Sequence, residues 1–390
     1  MKGKRTIFGT LKGGNTMIRK WQYFSVMIFA ASVLICAGIS PVWAATLTVT
    51  STADSGPGSL RDTIAAASPG DTIDFSVAGT ITLTTGMLTI GKNLTITGPG
   101  ASSLTISGNN SSTVFSISAG TAVNISGLTV SNGNAGPDDG GGILNSGTLT
   151  LTNVTISNNS AKGGGGIVNG GTLTLTNVTI SNNSAEDGGG IFNFDTLTLT
   201  NVTISGNSAT GNGGGIFSNF GASTLTNVTI SGNSAAGVGG GILNLVGADI
   251  SLRNTIVANS PSGGNCSSSI TSLGHNLDSA NTCGFTGTGD LINTDPHLGP
   301  LALNAPGATE TMALLAGSPA IDAADPATFP PTDQRGVARP QGAGPDIGAY
   351  EYVPTPAPTS VPAMNEWGII IFMLLAGLGS VFYMRKRKTN

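Results

Sequence analysis

The chain repeats itself. The stretch Gly142-Ile-Leu-Asn-Ser-Gly-Thr-Leu-Thr-Leu-Thr-Asn-Val-Thr-Ile-Ser157 returns with few changes at 166–181 and again at 190–205. Two looser copies follow, so that Ile143, Ile167, Ile191, Ile216 and Ile242 share one position and Ile156, Ile180, Ile204, Ile230 and Ile256 another. Asn159, Asn183, Asn207, Asn233 and Asn259 fill a third, with spacings of 24 residues and then 26. A fixed period of this length means a solenoid, because one unit cannot bury its apolar side alone and must stack on its neighbours.

Within a unit, Leu149, Leu151, Val154 and Ile156 are separated by Thr or Asn, the alternation of strands with one buried face. Short strands broken at Gly-Gly-Gly and at an Asn-rich corner fit an all-β fold, a right-handed parallel β-helix with coils of ~24 residues and identical residues stacked about 4.8 Å apart. A buried Ile or Leu column is then continuous core, and an Asn column passes amide hydrogen bonds from coil to coil. Degenerate coils are visible upstream in Ile81-Thr-Leu83, Leu94-Thr-Ile96, Leu104-Thr-Ile106 and Ile125 to Val130, which places the rod at 72–265. An open solenoid end is an aggregation edge. Ser59-Leu-Arg-Asp-Thr-Ile-Ala-Ala-Ala67 offers a short helix with a Ser-x-x-Asp start to cover it, within a cap at 46–71.

Only 9% of the 390 residues are charged, and 59 are glycine. Ten of the sixteen basic residues lie at the two ends, leaving six against nineteen acids between about 45 and 362. A body that acidic lacks the basic patch that nucleic acid or anionic lipid needs.

The ends read as targeting devices. Residues 1–45 contain a charged stretch from Met17, which reads as the translation start, then an apolar run from Phe24 to Ile39 and a small-residue site at Ala44-Ala45, the parts of a secretory signal peptide. Cys36 falls inside it. At the other end, residues 369–384 carry no charge and abut Arg385-Lys-Arg-Lys388, a membrane span whose tail stays cytoplasmic. Sixteen residues reach only about 24 Å, so Trp367 and Gly368 are needed to complete the span. A Pro/Thr linker occupies 353–362.

The segment Val361-Pro-Ala-Met-Asn365-Glu366-Trp367-Gly368 resembles the IPTL-CTERM sorting signal, matching at Pro362, Glu366, Trp367 and Gly368 and departing at Val361, Ala363 and Met364. The resemblance covers 363–390 with the residues just before it. It implies an exosortase-type protease-transpeptidase in a Gram-negative envelope, reached through the Sec translocon and signal peptidase. The Gly-Gly-Gly-Ile-x-Asn and Ile-Ser-x-Asn-Ser pairs resemble repeats of polymorphic outer-membrane proteins, and Thr48 to Ile73 resembles a CSLREA-type cap without its cysteine. In 266–352, the ordered blocks Asp295 to Pro300, Gly317 to Asp322, Thr332 to Gly336, Arg339-Pro340 and Asp346 to Glu351 resemble the choice-of-anchor Q module, which implies a sorting tail behind it.

Cys266 and Cys283 alone remain after signal removal, and a disulfide is the expected state in an exported protein, with two free thiols as the alternative. The repeat register sets Asp138-Asp139 two coils from Glu186-Asp187, with Lys162 between. Asp139 and Asp187 would stand about 10 Å apart, near the upper edge for inverting glycoside hydrolysis. The plainer reading is a solvated column of alternating sign, Asp138, Lys162 and Glu186, with no aromatic, Arg or His expected beside it. His275 and His297 have no ligand partner at suitable spacing, and Asp322, Asp325, Asp333 and Asp346 lack the pattern of a Ca²⁺ loop. The Asn-x-Thr tripeptides at Asn153, Asn177, Asn201 and Asn227 fall inside the expected strands as ladder positions.

The expectation is therefore a non-catalytic rod of the cell surface, for adhesion or matrix structure, with no cofactor or metal. The alternative is a carbohydrate-active or glycan-binding β-helix that uses Asp139 and Asp187.

Overall fold

The computed structural model describes residues 44–354, apart from 246 and 269, and residues 366–387. The leader with Met17 and Cys36, most of the proline-rich spacer, and Val361, Pro362 and Asn365 of the sorting motif lie outside the described residues. Between them the chain winds into a parallel β-helix with an 18-stranded sheet, an 8-stranded sheet and a small 3-stranded sheet. In one coil, Ile143–Asn145 joins the narrower sheet, and Thr148–Thr152 and Thr155–Ser157 join the broad one.

Alternation becomes stacking. Leu149 pairs with Leu173 and then Leu197, Ile156 with Ile180 and Ile204, and Ile143 with Ile167, Ile191, Ile216 and Ile242. All of them are fully buried. Each such side chain stabilises the fold by about 1.5–3 kcal/mol relative to exposure. That gain exists only when the coils above and below are in place, so the rod folds as a stack.

Two of the corners in each coil show why Asn and Gly recur. At one, Asn153, Asn177, Asn201, Asn227 and Asn254 sit at φ between 50° and 56°. Asn tolerates this left-handed region better than other residues with a Cβ. The four Asn-x-Thr asparagines are thus corners that fold the broad sheet into two facets, rather than regular strand positions: even in the continuous strand Thr172–Ser181 the pairing skips Asn177. At the other corner Gly164 and Gly188 have φ of +61° and +67°, and a Cβ there would lie 2.4 Å from Val168 Cγ2 or 2.8 Å from Phe192 Cβ. The side chain four residues on occupies the space a larger residue would need.

Asn159, Asn183, Asn207 and Asn233 form a fully enclosed ladder, each Nδ2 donating to the next Oδ1 at 2.9 Å. Each Nδ2 also donates to the main-chain oxygen of a strand residue one coil earlier, as Asn183 does to Ile156 at 3.0 Å. Asn259 is not a member. The last full coil is shifted by one residue, with Ser231 paired to Ala258, so Asn259 falls beside Gly232. It is exposed at φ 55°, in a corner where Asn158, Asn182, Gly206 and Gly232 also have positive φ. A second ladder runs through Asn145, Asn169 and Asn193 at 2.7 Å per step, in the Asn of Gly-Ile-x-Asn.

The rod overruns the repeat at both ends. Thr46–Val49 already pairs in parallel with Thr72–Phe75, and Leu291–Ile292 still pairs with Leu277–Asp278. Main-chain pairing persists there although the side chains no longer repeat. Helix α1, Leu60–Ala66, starts at Ser59, whose hydroxyl accepts from Asp62 N at 3.2 Å, and it buries Leu60 and Ile64 in the core continuous with the rod. Cys266 pairs with Ile242, continuing the isoleucine column, and is joined to Cys283 by a disulfide with a Cα–Cα distance of 4.7 Å.

After Ile292 the chain leaves the coil, forms an antiparallel hairpin of Leu298–Ala302 with Thr311–Leu314, and turns back along the side of the rod. Helix α2, Glu366–Arg387, includes Trp367 and Gly368 and spans about 33 Å at 1.5 Å per residue. Its stretch Trp367–Arg387 has a mean hydropathy of 2.0 and buries nothing against the rest of the chain, so it is long and apolar enough to cross a membrane.

Candidate functional site

The acidic corner is assembled by main-chain register. Lys162 N donates to Asp138 O at 3.0 Å, Glu186 N to Lys162 O at 2.8 Å and Gly211 N to Glu186 O at 2.7 Å, which sets the alternating column on the surface. One residue on, Gly163 pairs with Asp187, and Gly140 N donates to Gly163 O at 2.8 Å. Asp139 and Asp187 therefore belong to alternate coils, about 10 Å apart by strand spacing. Asp187 Oδ1 accepts from Asn212 N at 2.8 Å and Nδ2 at 3.2 Å.

An open depression of about 210 Å³ is lined by Asp139, Lys162, Gly163, Glu186, Asp187 and Phe192. Phe192 corrects the expectation that no aromatic stands here. It is the outward residue of Ile191–Asn193, and a Cβ on Gly163 would lie 2.8 Å from its ring. It stacks on Phe217 with ring centroids 4.7 Å apart and leans on Phe194 at 4.3 Å. The signal was present in the sequence: the residue four past the corner glycine, Leu144, Val168, Phe192, Phe217 or Leu243, lies back over that glycine. The depression offers exposed carboxylates and an aromatic face for a polar ring, and neither Arg nor His lines it.

The most enclosed polar chemistry lies elsewhere, where the post-rod module docks on the Asn-x-Thr corner. Asn201 Nδ2 donates to Thr332 O at 2.8 Å, Asn227 Nδ2 to Asp346 O at 3.1 Å and Asn254 Nδ2 to Thr328 O at 2.9 Å. Thr203 Oγ1 donates to Gln334 Oε1 at 2.7 Å, Gln334 Nε2 donates to Thr179 Oγ1 at 3.0 Å, and Ala349 N donates to Thr229 Oγ1 at 3.0 Å. Thr179, Thr203, Asn227 and Thr229 are buried beneath it. An ion pair between Arg253 and Asp325 and a second apolar cluster around Ile256, Leu277, Leu314 and Ile347 complete the seam.

The module's interior holds charge. Arg339 meets Glu351 at 2.8 Å and Arg335 meets Asp333 at 2.7 Å, all four enclosed, with Arg335 also over the Tyr350 ring at 3.5 Å. Asp346 accepts from Asp322 N at 2.7 Å and Tyr352 N at 2.5 Å. Burial pushes its pKa up to about 7 against the pull of those amides, with Glu351 adding to the rise. Burial likewise raises Glu351, opposed by Arg339.

The four aspartates weighed for Ca²⁺ are thus spent separately: Asp325 on Arg253, Asp333 on Arg335, Asp346 on main-chain amides, and Asp322 Oδ1 on Gly344 N at 2.9 Å. Among the described residues no group of three or more His, Cys, Asp or Glu is disposed to hold a metal. His275 Nδ1 lies 2.8 Å from Ala323 O, and His297 is exposed. Of the sorting motif only Trp367 and Gly368 have described side-chain positions, at the start of α2.

Residues 81–260 match the family described as right-handed β-helix region. The crystal structure of the pectate lyase Pel9A is similar in winding over 81% of this chain and 98% of that one, with 14% identity and a TM-score of 0.49. The chain matches no curated protein sequence.

Proposed function

We propose that the chain is an exported, non-catalytic β-helical rod presented outside the cell, serving adhesion or matrix structure and held or processed through its C-terminal segment. The observation that carries this reading is the pairing of a uniform rod with, among the described residues, one apolar helix of membrane-spanning length that is not buried. The basic residues Arg385 to Arg387 at the end of α2 orient that end to the cytoplasm. In this reading the leader uses the Sec translocon and signal peptidase, and an exosortase-type enzyme of a Gram-negative envelope acts near Glu366-Trp367-Gly368.

Mass spectrometry of both termini of the protein from fractionated native cells tests it. An N-terminus near Ala45 in an envelope or extracellular fraction is the expected result. Full-length protein confined to the cytoplasm would refute it.

Phe192 supports a second reading, a glycan-binding or glycan-cleaving corner in which a sugar ring stacks on the aromatic face beside Asp139 and Asp187. A glycan panel showing binding or cleavage that is lost in Asp139→Ala, Asp187→Ala would favour it. A folded protein with no response across the panel would dismiss it.

A further inference from the structure

Over the middle of the rod, one facet of the broad sheet presents two columns made entirely of threonine. Register places Thr150, Thr174, Thr198 and Thr224 in one column. Thr152, Thr176, Thr200 and Thr226 form the next, two residues along each strand. The intervening Leu149, Leu151 and their equivalents point inward. The first column extends beyond the repeat to Thr46, Thr72 and Thr95, where the core residues have already changed, with Asn124 as the interruption. Charge enters the second column only at Asp74 and Arg253, outside the central coils. The docked module bonds to the neighbouring corner and, among the described residues, makes no hydrogen bond to these eight side chains.

The result is a flat rectangular grid of hydroxyls and methyls, repeating at about 4.8 Å between coils and about 6.7 Å along each strand. Threonine is stiff at χ1, so the grid is ordered before anything binds. Its backing is rigid, with enclosed asparagine ladders and a continuous core behind it. Among folded proteins only stacked β-strands, as in another β-helix, repeat at this interval over several ranks. Crystalline water does so too, since the oxygens on the prism face of ice form a rectangular grid of similar dimensions. A second copy of the chain is a poorer occupant, because face-to-face contact over these coils covers only a few hundred Å² per partner against the roughly 800 Å² of a stable interface.

We propose that this threonine facet adsorbs to ice, its hydroxyls and the waters caged between its methyls standing in for oxygens of the crystal surface. Occupancy requires an uninterrupted plane, so a bulky group in the middle of either column lifts the whole face away.

The test uses the full chain in lipid nanodiscs, with empty discs as the blank, and follows ice-crystal shape and recrystallisation. Thr174→Tyr and Thr198→Tyr interrupt the grid, and Ser208→Tyr places the same bulk at an exposed position on the small third sheet. The wild type and Ser208→Tyr are expected to facet crystals and slow recrystallisation, with a several-fold loss in both threonine variants at unchanged circular dichroism. The proposal is overturned if the folded wild type leaves ice growth at the blank level, or if the threonine variants match it. It is also overturned if sedimentation shows a dimer of the chain that Thr174→Tyr dissociates, which would assign the facet to self-association.

Discussion

Removing one rung of the asparagine ladder should cost more than its small size suggests. In Asn183→Gly the chain loses the bond from Nδ2 to Ile156 O and the bonds that Oδ1 accepts from Asn159 N and Nδ2, at 2.9–3.0 Å, all within a fully enclosed column. Asn159 Nδ2 keeps Val130 O, Asn207 Oδ1 keeps Asn183 N, and Ile156 stays in the parallel ladder with Ile180, so one main-chain group, Asn159 N, is stranded. At about 1–3 kcal/mol for a buried unsatisfied group, the loss is about 1–3 kcal/mol before any strand-propensity term. Asn259→Gly is the matched comparison: the same change of residue, but at an exposed left-handed corner where two other coils already have glycine. There it should fall within about 0.5 kcal/mol of wild type. Hydrogen-exchange mass spectrometry reads local opening without assuming that a solenoid unfolds in one step. Peptides covering residues 154–160 and 178–184 should lose protection in Asn183→Gly and keep it in Asn259→Gly. Equal protection in the two variants would refute both the ladder energetics and the one-residue register shift that excludes Asn259.

Gln334→Ala should loosen the docked module while leaving the rod intact, because its amide links Thr179, Thr203 and Thr309; faster exchange confined to 305–351 is the expected signature. Asp346 has a folded-state pKa raised to about 7, so its contribution to stability is present at acid pH and is lost as pH climbs from its unfolded value of 3.8 through about 7. Module opening measured by exchange should rise over that window, and Asp346→Asn should flatten the slope, with Glu351 contributing a remainder of the same sign. Replacing Cys266 and Cys283 together by Ser opens a loop of 17-residue separation and should cost about 3 kcal/mol, felt in the last coils and not in 142–205, as thermal melting combined with limited proteolysis would show. In Asp54, burial pushes the carboxyl up, but the Thr85 and Arg61 bonds outweigh it and hold it well below the usual range. Asp54→Ala should therefore free the Thr84–Thr85 turn from the cap and raise its exchange rate.

Periodicity made the rod legible before any coordinates. Ile at 24-residue spacing has one low-energy use in a strand-forming sequence, and the columns of Ile143 and Ile156 are that use. The serine start and apolar side of α1 were equally plain, since both are local. The rod's true ends were not, because parallel pairing at Thr46 and Leu291 is made by main chain and leaves no repeating side-chain mark. The slip at Asn259 has a similar origin: the 26-residue interval in sequence is a 27-residue step in space, absorbed in the loop before Asp249.

Phe192 at the acidic corner was misplaced because corner geometry, and not strand alternation, decides where an outward side chain lies. The docking seam was hidden for a deeper reason. Asn201, Thr203 and Gln334 are unremarkable polar residues separated by some 131 positions, and only the return of the chain along its own flank turns them into a buried network. The same is true of Arg339, Glu351 and Asp346, visible in the sequence only as ordered blocks. By itself the sequence determined the winding, the stacked core and the apolar terminal helix, all of which follow from regular spacing along one chain. Tertiary structure alone decided which face stays open, which corner is covered and which carboxyl burial pushes upward, because those depend on what a distant segment removes from water.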